Sequence, residues 1–340
     1  MIRACSFPLS RPSEGDALSA FAELRRLDSR RLFADLAWSG RHTIEGTAPI
    51  VVRPSNVGLE ASGAFCFNAR MVCESLAAPS PSRSWFDPGI HKSVAGSGFY
   101  KDNPKAALAM RKYIAPQFRP SAAKAIAEHF GAVSIYDPCG GWGDRLVGWL
   151  AVPSVQRIHM RDTNPAVFLA YHDICERFSG GRDVTCELVG AESGAPEIEQ
   201  VDLVMTSPPY YKVEKYAGEA SSWKKYGKTF EGWMRGFLRP MIECSWAALR
   251  PGGVFAMNIA DAYADHRNNV IAQPALEHLL AQPEARLVCV MGYEMRRRVN
   301  HRNQFSGVFA EPMLLVSKGA SEIGPPRPLS GDLFAESAHA

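Results

Sequence analysis

Short apolar runs recur along the second two thirds of the chain, separated by stretches of helical periodicity. Apolar runs that predict strands occupy residues 132–136, 158–162, 186–189, 201–207, 254–259, 285–291 and 312–316. Amphipathic stretches that predict helices occupy residues 122–130, 165–178, 230–249 and 270–281. Strands that alternate with helices are typical of a parallel sheet covered on both faces. The pattern therefore predicts an α/β fold.

The first 117 residues lack this alternation and read as mostly helical. An amphipathic helix starts near Phe21 and is expected to continue toward Trp38. Further helices are expected at residues 61–76 and 104–114, on either side of a loop at 78–82. These residues match no recognisable module, so we expect a separate N-terminal cap or substrate-recognition region at 1–117.

Composition narrows the class of protein. The 340 residues are 46% hydrophobic and 21% charged, with a net charge of only +3, which indicates a globular protein without the basic excess typical of proteins that grip long duplex nucleic acid. Residues 1–6 lack the apolar region of a signal peptide. The eight cysteines are scattered without metal-ligand spacing, so we expect buried free thiols, no metal site and a reducing cytoplasm.

A glycine-rich turn follows the first strand of the α/β region. Residues 137–146 read Asp-Pro-Cys-Gly-Gly-Trp-Gly-Asp-Arg-Leu, and a helical pattern follows. Glycines leave the backbone free to approach a ligand closely beside a positive helix N-terminus. Glycine-rich turns of this kind are common, so this one indicates a ligand site only in combination with a second motif.

That second motif ends the fourth strand. Residues 207–210 read Ser-Pro-Pro-Tyr directly after an apolar run. Together the two motifs resemble the class I S-adenosylmethionine (SAM) methyltransferases, in particular the branch that methylates adenine N6 or cytosine N4. The resemblance covers roughly residues 118–318. It implies a Rossmann-like, seven-stranded sheet that ends in an antiparallel hairpin, followed by a flexible tail at 319–340.

The resemblance implies a cofactor site at the carboxyl ends of the strands. Asp162 would accept hydrogen bonds from the ribose hydroxyls of SAM. Glu192 would lie near the adenine, although a surface acid after a strand explains it equally well. Asp137 would face the ammonium group, and the turn would pass under the methionine moiety. The residues of that turn assigned to the cofactor are Cys139, Gly140, Gly141, Trp142 and Gly143.

The Ser-Pro-Pro-Tyr sequence at 207–210 is called the tetrad below, and three of its residues are the predicted catalytic groups. Hydrogen bonds from an exocyclic amine to the Ser207 oxygen and the Pro208 carbonyl would favour the pyramidal, nucleophilic form of the nitrogen. The two prolines fix φ and hold that carbonyl in place. Tyr210 would stack on a flipped base. Because the sulfonium is an excellent leaving group, direct in-line methyl transfer needs mainly alignment.

The acceptor stays open at this point. A nucleobase is the first candidate, with nucleic acid as the partner, although the low net charge favours it little. The second candidate is a small-molecule SAM enzyme with residues 1–117 as a lid, either a metabolite N-methyltransferase or a SAM-cyclising enzyme of the azetidine-2-carboxylate synthase type that releases methylthioadenosine. A catalytically silent SAM-binding module is the third candidate, which the intact tetrad argues against.

Overall fold

The secondary structure shows the predicted alternation of strands and helices. The computed structural model describes residues 7–75, 78–96, 98, 102–111, 114–216, 222–295 and 307–328. Its helices are α1 Glu14–Arg26, α2 Leu59–Val72, α3 Pro81–Trp85, α4 Pro88–Gly96, α5 Pro104–Arg111, α6 Pro120–His129, α7 Asp144–Leu150, α8 Pro165–Phe178, α9 Ser222–Lys225, α10 Phe230–Trp233, α11 Arg239–Ala248 and α12 Ala272–Leu280. Its strands are β1 Phe33–Asp35, β2 Trp38–Ser39, β3 Ile50–Val52, β4 Glu74–Ser75, β5 Ser134–Asp137, β6 Arg157–Arg161, β7 Asp183–Glu187, β8 Val201–Thr206, β9 Glu214–Lys215, β10 Leu249–Asn258, β11 Ala262–Ala264, β12 Arg267–Asn269, β13 Ala285–Glu294 and β14 Val308–Lys318.

One large sheet organises the described residues. Its strands lie in the order β1-β3-β13-β14-β10-β8-β5-β6-β7, and β2 pairs with the start of β14. Strands β10, β8, β5, β6 and β7 are parallel, whereas β14 runs antiparallel to both β10 and β13. The predicted α/β, Rossmann-like sheet with a terminal antiparallel hairpin is confirmed.

Local sequence explains where helices α6 and α8 begin. The side chain of Asn164 accepts a hydrogen bond from Ala166 N, and Pro165 occupies the first turn of α8, where its missing N–H costs nothing. Helix α6 begins at Pro120, with Arg119 at the cap position. Ser121, expected from the sequence as the cap, lies inside the helix and donates its hydroxyl to the carbonyl of Ser55.

The helix predicted over 230–249 is interrupted. It forms α10, a π-helical segment at Met234–Leu238, and α11. Pro240 lacks the N–H that a continuous helix needs, and its ring would collide with the carbonyl of Gly236. A π-helical turn accommodates this defect and keeps the chain helical.

The N-terminal region contributes to the sheet as well as to the helices around it. The first helix ends at Arg26 rather than continuing toward Trp38, and the chain returns as β1 and β3, of which β3 pairs with β13. Phe21, Leu24 and Val52 belong to the same buried core as the central strands. Residues 14–72 therefore share a core with the sheet.

The described part of the C-terminal segment packs on the domain. His129 Nε2 lies 2.9 Å from the carbonyl of Gly324, and Ile323 packs against the core. The predicted flexible tail thus begins with residues that contact the fold. Residues 329–340 lie outside the described residues.

Candidate functional site

A pocket opens at the carboxyl ends of β5, β6 and β8, with about 680 Å³ of empty space when the adjoining open solvent is included. Elements distant in sequence converge here because the carboxyl ends of parallel strands share one edge. Its lining includes six of the predicted site residues, which are Cys139, Gly141, Trp142, Asp162, Glu192 and Ser207. Of the described residues, Asp137, Gly140, Gly143, Pro208 and Tyr210 do not line it.

The glycines of the turn are needed for two different reasons. Gly141 has φ +62°, a left-handed conformation that side chains rarely adopt, and it faces the pocket. A Cβ at Gly140 would lie 2.6 Å from the Met160 methyl carbon, and one at Gly143 would lie 2.7 Å from a methyl of Ile174. Gly140 and Gly143 therefore let the turn pack closely on these side chains, and Gly141 and Gly143, whose φ is +73°, let it bend.

The N–H groups of this turn are bonded within the protein. The N–H of Gly140 donates to the carbonyl of Arg161, and the N–H of Gly141 donates to Asp162 Oδ2. Cys139 N donates to Asp137 Oδ1. The sequence suggested that such groups would be available to a ligand, but at these three positions the structure uses them to fix the turn.

Asp137 is buried beneath the turn. Its Oδ2 accepts a 2.8 Å hydrogen bond from Arg145 Nε, and both side chains are almost fully buried. Arg145 also donates to the carbonyl of Cys139. The carboxylate predicted to face the cofactor ammonium is thus paired with a cation eight positions along the chain and holds the turn against α7.

Asp162 directly follows strand β6, connects it to the glycine turn and lines the pocket. Its carboxylate accepts from Gly141 N and from Asn164 N, both at 2.8 Å. Burial raises the pKa of Asp162 to about 6, although both hydrogen bonds favour the ionised form. An oxygen held in this way at the pocket wall is suited to accept hydrogen bonds from ligand hydroxyls.

Glu192 also lines the pocket but is already bonded. Its Oε1 accepts from Lys225 Nζ at 2.8 Å and from the Tyr226 hydroxyl at 2.6 Å. Burial acts to raise the pKa of Glu192, but these two donors outweigh it and leave the pKa below its usual value. The carboxylate therefore stays charged and anchors residues 225–226 beside the pocket.

The tetrad lies at the boundary of the pocket. Ser207 and Pro209 line it, while the Tyr210 hydroxyl donates a 3.0 Å hydrogen bond to Glu311 Oε2 on β14. The sequence analysis missed Glu311. Glu311 is the one acid of β14, but it precedes the apolar run at 312–316 that predicted this strand, so the pattern did not single it out.

Two aromatic side chains of the pocket were also missed. Tyr216 and Phe237 line it, and the ring centroids of Trp142 and Tyr216 lie 6.0 Å apart. Tyr216 follows the tetrad closely, and Phe237 belongs to the π-helical segment. The predicted helix over 230–249 placed Phe237 on an apolar face, which gave no reason to assign it to a ligand site.

Asp144 connects the turn to the N-terminal region. It is buried at the start of α7, where its Oδ1 accepts from the Ser62 hydroxyl of α2 and, at 2.9 Å, from Gln117 Nε2. Burial raises the pKa of Asp144 to about 6. The Asp-Arg pair after the glycine turn thus has structural partners: Asp144 binds the N-terminal region and Arg145 binds Asp137.

Three further features of the described residues bear on function: possible metal ligands, the pocket thiol and the length of the helices. They contain no group of three or more His, Cys, Asp or Glu side chains arranged to hold a metal ion. Burial raises the pKa of the Cys139 thiol well above its usual value, so this pocket residue stays protonated. Among the same residues, no helix is both long and apolar enough to span a membrane.

Comparison with known proteins finds likeness of structure alone. No protein-family model matches the sequence, and no curated protein matches it. The solved structure of PH0851 is 18% identical, with a TM-score of 0.39, over 60% of this chain and 47% of that one. The N-methyltransferase NodS from Bradyrhizobium japonicum is 13% identical (TM-score 0.36; 58% of this chain, 96% of that one). A SAM-dependent O-methyltransferase from Thermotoga maritima is 16% identical (TM-score 0.38; 63% and 71%). At these values the likeness does not establish a ligand or a reaction.

Proposed function

We propose that the protein is a SAM-dependent methyltransferase whose acceptor is an exocyclic amine, with a nucleobase as the first candidate. The observation that carries the proposal is a single pocket lined by Gly141, Asp162 and Ser207. Gly141 belongs to the glycine turn, Asp162 directly follows strand β6, and Ser207 is the first residue of the tetrad. Cofactor and acceptor groups would thus meet at one edge of the sheet.

The described residues offer chemical groups that suit SAM. The left-handed turn at Gly141 keeps its Cβ position free, and the Asp162 carboxylate offers an acceptor for ribose hydroxyls. The rings of Trp142, Tyr216 and Phe237 give the wall an aromatic character suited to a sulfonium or an adenine. Bound SAM would supply an electrophilic methyl group.

The tetrad would prepare the acceptor. Ser207 is at the pocket wall, immediately after β8, where its oxygen can accept a hydrogen bond from the acceptor amine. Pro208 and Pro209 restrict the backbone, so the carbonyl beside Ser207 keeps its direction. The residues then align the amine and the methyl group, which is the main requirement of direct transfer to a good electrophile.

A second candidate, a SAM-consuming cyclase or a small-molecule N-methyltransferase, is favoured by charge. Lys212, Lys215 and Lys225 follow the tetrad, and each is paired with a carboxylate. Pairing of this kind neutralises cations that would otherwise bind phosphates. The aromatic pocket wall would serve a reaction within SAM as well as methyl transfer.

Product analysis separates these functions. The purified protein is incubated with SAM alone, then with single-stranded DNA, duplex DNA and RNA, and the products are identified by mass spectrometry. S-adenosylhomocysteine formed only with nucleic acid, together with a methylated base, supports the first candidate. Methylthioadenosine from SAM alone supports cyclisation. An Asp162→Ala variant controls for contaminating activity, and the absence of SAM binding would refute both candidates.

A further inference from the structure

We propose that Glu311 is a positioning residue of the tetrad: it holds the Tyr210 hydroxyl and so fixes the aromatic face beside the acceptor amine. This inference rests on the proposed function and extends it to the acceptor side. The contact that carries it is the 3.0 Å hydrogen bond from Tyr210 to Glu311 Oε2.

The register of the sheet puts Glu311 on the acceptor side. Thr206, the residue before the tetrad, pairs with Met257 of β10, and Met257 pairs with Leu314 of β14. Glu311 lies three residues before Leu314 on an antiparallel strand, and therefore beyond the carboxyl ends of β8 and β10. The loop that carries Tyr210 leaves β8 in the same direction.

Several polar groups surround the Glu311 carboxyl, although burial raises its pKa above the usual value. Asn258, at the end of β10, donates its side-chain N–H to the carbonyl of Pro312 and is a hydrogen-bond partner of Glu311. Arg41 lies close enough to act electrostatically on Glu311, and its carbonyl accepts from Asp261 N. Two strands, the N-terminal region and the tetrad loop thus converge on one half-buried acid.

The residues of the tetrad have different contacts. Ser207 and Pro209 line the cofactor pocket, whereas Tyr210 is directed to Glu311 outside it. A planar acceptor would approach between these two parts, with the tyrosine ring as its support. A ring that is held at its hydroxyl loses less freedom when an acceptor stacks on it, which favours binding.

The first test needs neither cofactor nor acceptor. A fluorinated tyrosine is placed at position 210 and followed by fluorine NMR. We expect one narrow resonance in the otherwise unchanged protein and in Glu311→Gln, whose amide oxygen still accepts the bond, and a broadened or shifted resonance in Glu311→Ala. Glu294→Ala is the matched control, because Glu294 lies on the neighbouring strand and pairs with Arg53. An unchanged resonance in Glu311→Ala, or a Glu311→Gln spectrum like that of Glu311→Ala, would overturn the proposal.

The second test is a double-mutant cycle on turnover and SAM affinity. Glu311→Ala and Tyr210→Phe should each lower turnover about tenfold, and the double variant should lose no more than either, because both changes remove one contact. SAM affinity should be unchanged throughout. Additive losses would refute the shared contact. If no methyl group is transferred to any acceptor, the proposed function fails, while the NMR result still decides the contact between Glu311 and Tyr210.

Discussion

At the scale of single residues, the carboxylates around the glycine turn have separate tasks. Asp137 forms an ion pair with Arg145, and Glu192 accepts hydrogen bonds from Lys225 and Tyr226. Of these three acids, only Asp162 both lines the pocket and has hydrogen bonds that orient both of its carboxylate oxygens. A sequence shows that acids end several strands but not which of them are already neutralised. Asp162 is therefore the residue on which cofactor binding should depend most.

Asp162→Ala should weaken SAM binding by about 1.5–3 kcal/mol, the usual contribution of hydrogen bonds to a charged group. Isothermal titration calorimetry measures this directly. Glu187→Ala is a suitable control, since Glu187 lies on the neighbouring strand and pairs with Arg161 outside the pocket lining. An unchanged affinity in a folded Asp162→Ala protein would remove Asp162 from the site.

The affinity for SAM should also depend on pH. The pKa of Asp162 is raised above the ordinary aspartate value to about 6, so the carboxyl is protonated and loses acceptor capacity as the pH falls through that value. Affinity should rise between pH 5 and 7 and then level off, by up to about tenfold per unit where binding requires the carboxylate. The slope should vanish in Asp162→Asn and persist in Asp144→Asn, whose carboxyl titrates in the same range. A slope retained in Asp162→Asn would assign the titration to another group.

Gly141→Val should abolish SAM binding in a folded protein. The side chain would have to adopt the left-handed conformation, at a cost of about 1–2 kcal/mol, and it would enter the pocket wall. Gly131 is a matched control because it has φ +57° and open space around its Cβ position. Gly131→Val should lose similar stability but keep the thermal shift that SAM induces. A normal shift in Gly141→Val would show that the turn does not contact the cofactor.

At the scale of elements, helix α7 is fixed from the N-terminal side. The Ser62 hydroxyl and the Gln117 amide both donate to Asp144 at its first residue. The glycine turn immediately precedes α7, so these contacts also support the pocket that the turn lines. Part of the N-terminal region is therefore a structural support for the turn.

Asp144→Ala should lower the free energy of unfolding by about 1–3 kcal/mol, because the Ser62 hydroxyl and the half-buried Gln117 amide lose the charged acceptor of their shortest hydrogen bonds. Asp144→Asn keeps an acceptor oxygen and removes the buried charge. Because the pKa of Asp144 is raised to about 6 in the folded state, its charge disfavours folding above that pH, and the stability of Asp144→Asn relative to the natural protein should increase between pH 4 and 7. Urea denaturation at several pH values measures the difference. Equal pH dependence in both proteins would contradict the raised pKa.

The elements that sequence predicted best are those defined by long apolar patterns. Strand β8 and helix α8 were found nearly at their observed ends, because apolar runs and the Asn164-Pro165 start are local signals. Strands β1 and β3 have only three residues each. Strand β3 pairs with β13 and β1 pairs with β3, and no local sequence pattern predicts these pairings. The contacts Asp137–Arg145 and Tyr210–Glu311 likewise depend on the assembled fold, so the candidate site was predicted in its outline but not in its pairing.

At the scale of the whole molecule, the N-terminal region divides into two parts. Residues 14–72 share the core of the sheet through Phe21, Leu24 and Val52. The described residues between 81 and 111 instead contribute to a small separate cluster of Trp85, Ile90 and Leu108. The sequence predicted one cap at 1–117, whereas the packing indicates that the two parts differ in stability.

Hydrogen exchange measured by mass spectrometry should resolve this difference. Amides of β3 should exchange with the same opening free energy as those of β13, because the two strands pair within one sheet and share its core. Amides of α3 and α4 should exchange faster, since their few buried apolar contacts support only local stability. Strand β7, at the opposite edge of the sheet, provides an internal reference for an edge strand. If β3 exchanged together with α3 and α4 while β13 stayed protected, residues 1–117 would behave as one separable cap, and the sheet would have to be stable without its N-terminal strands.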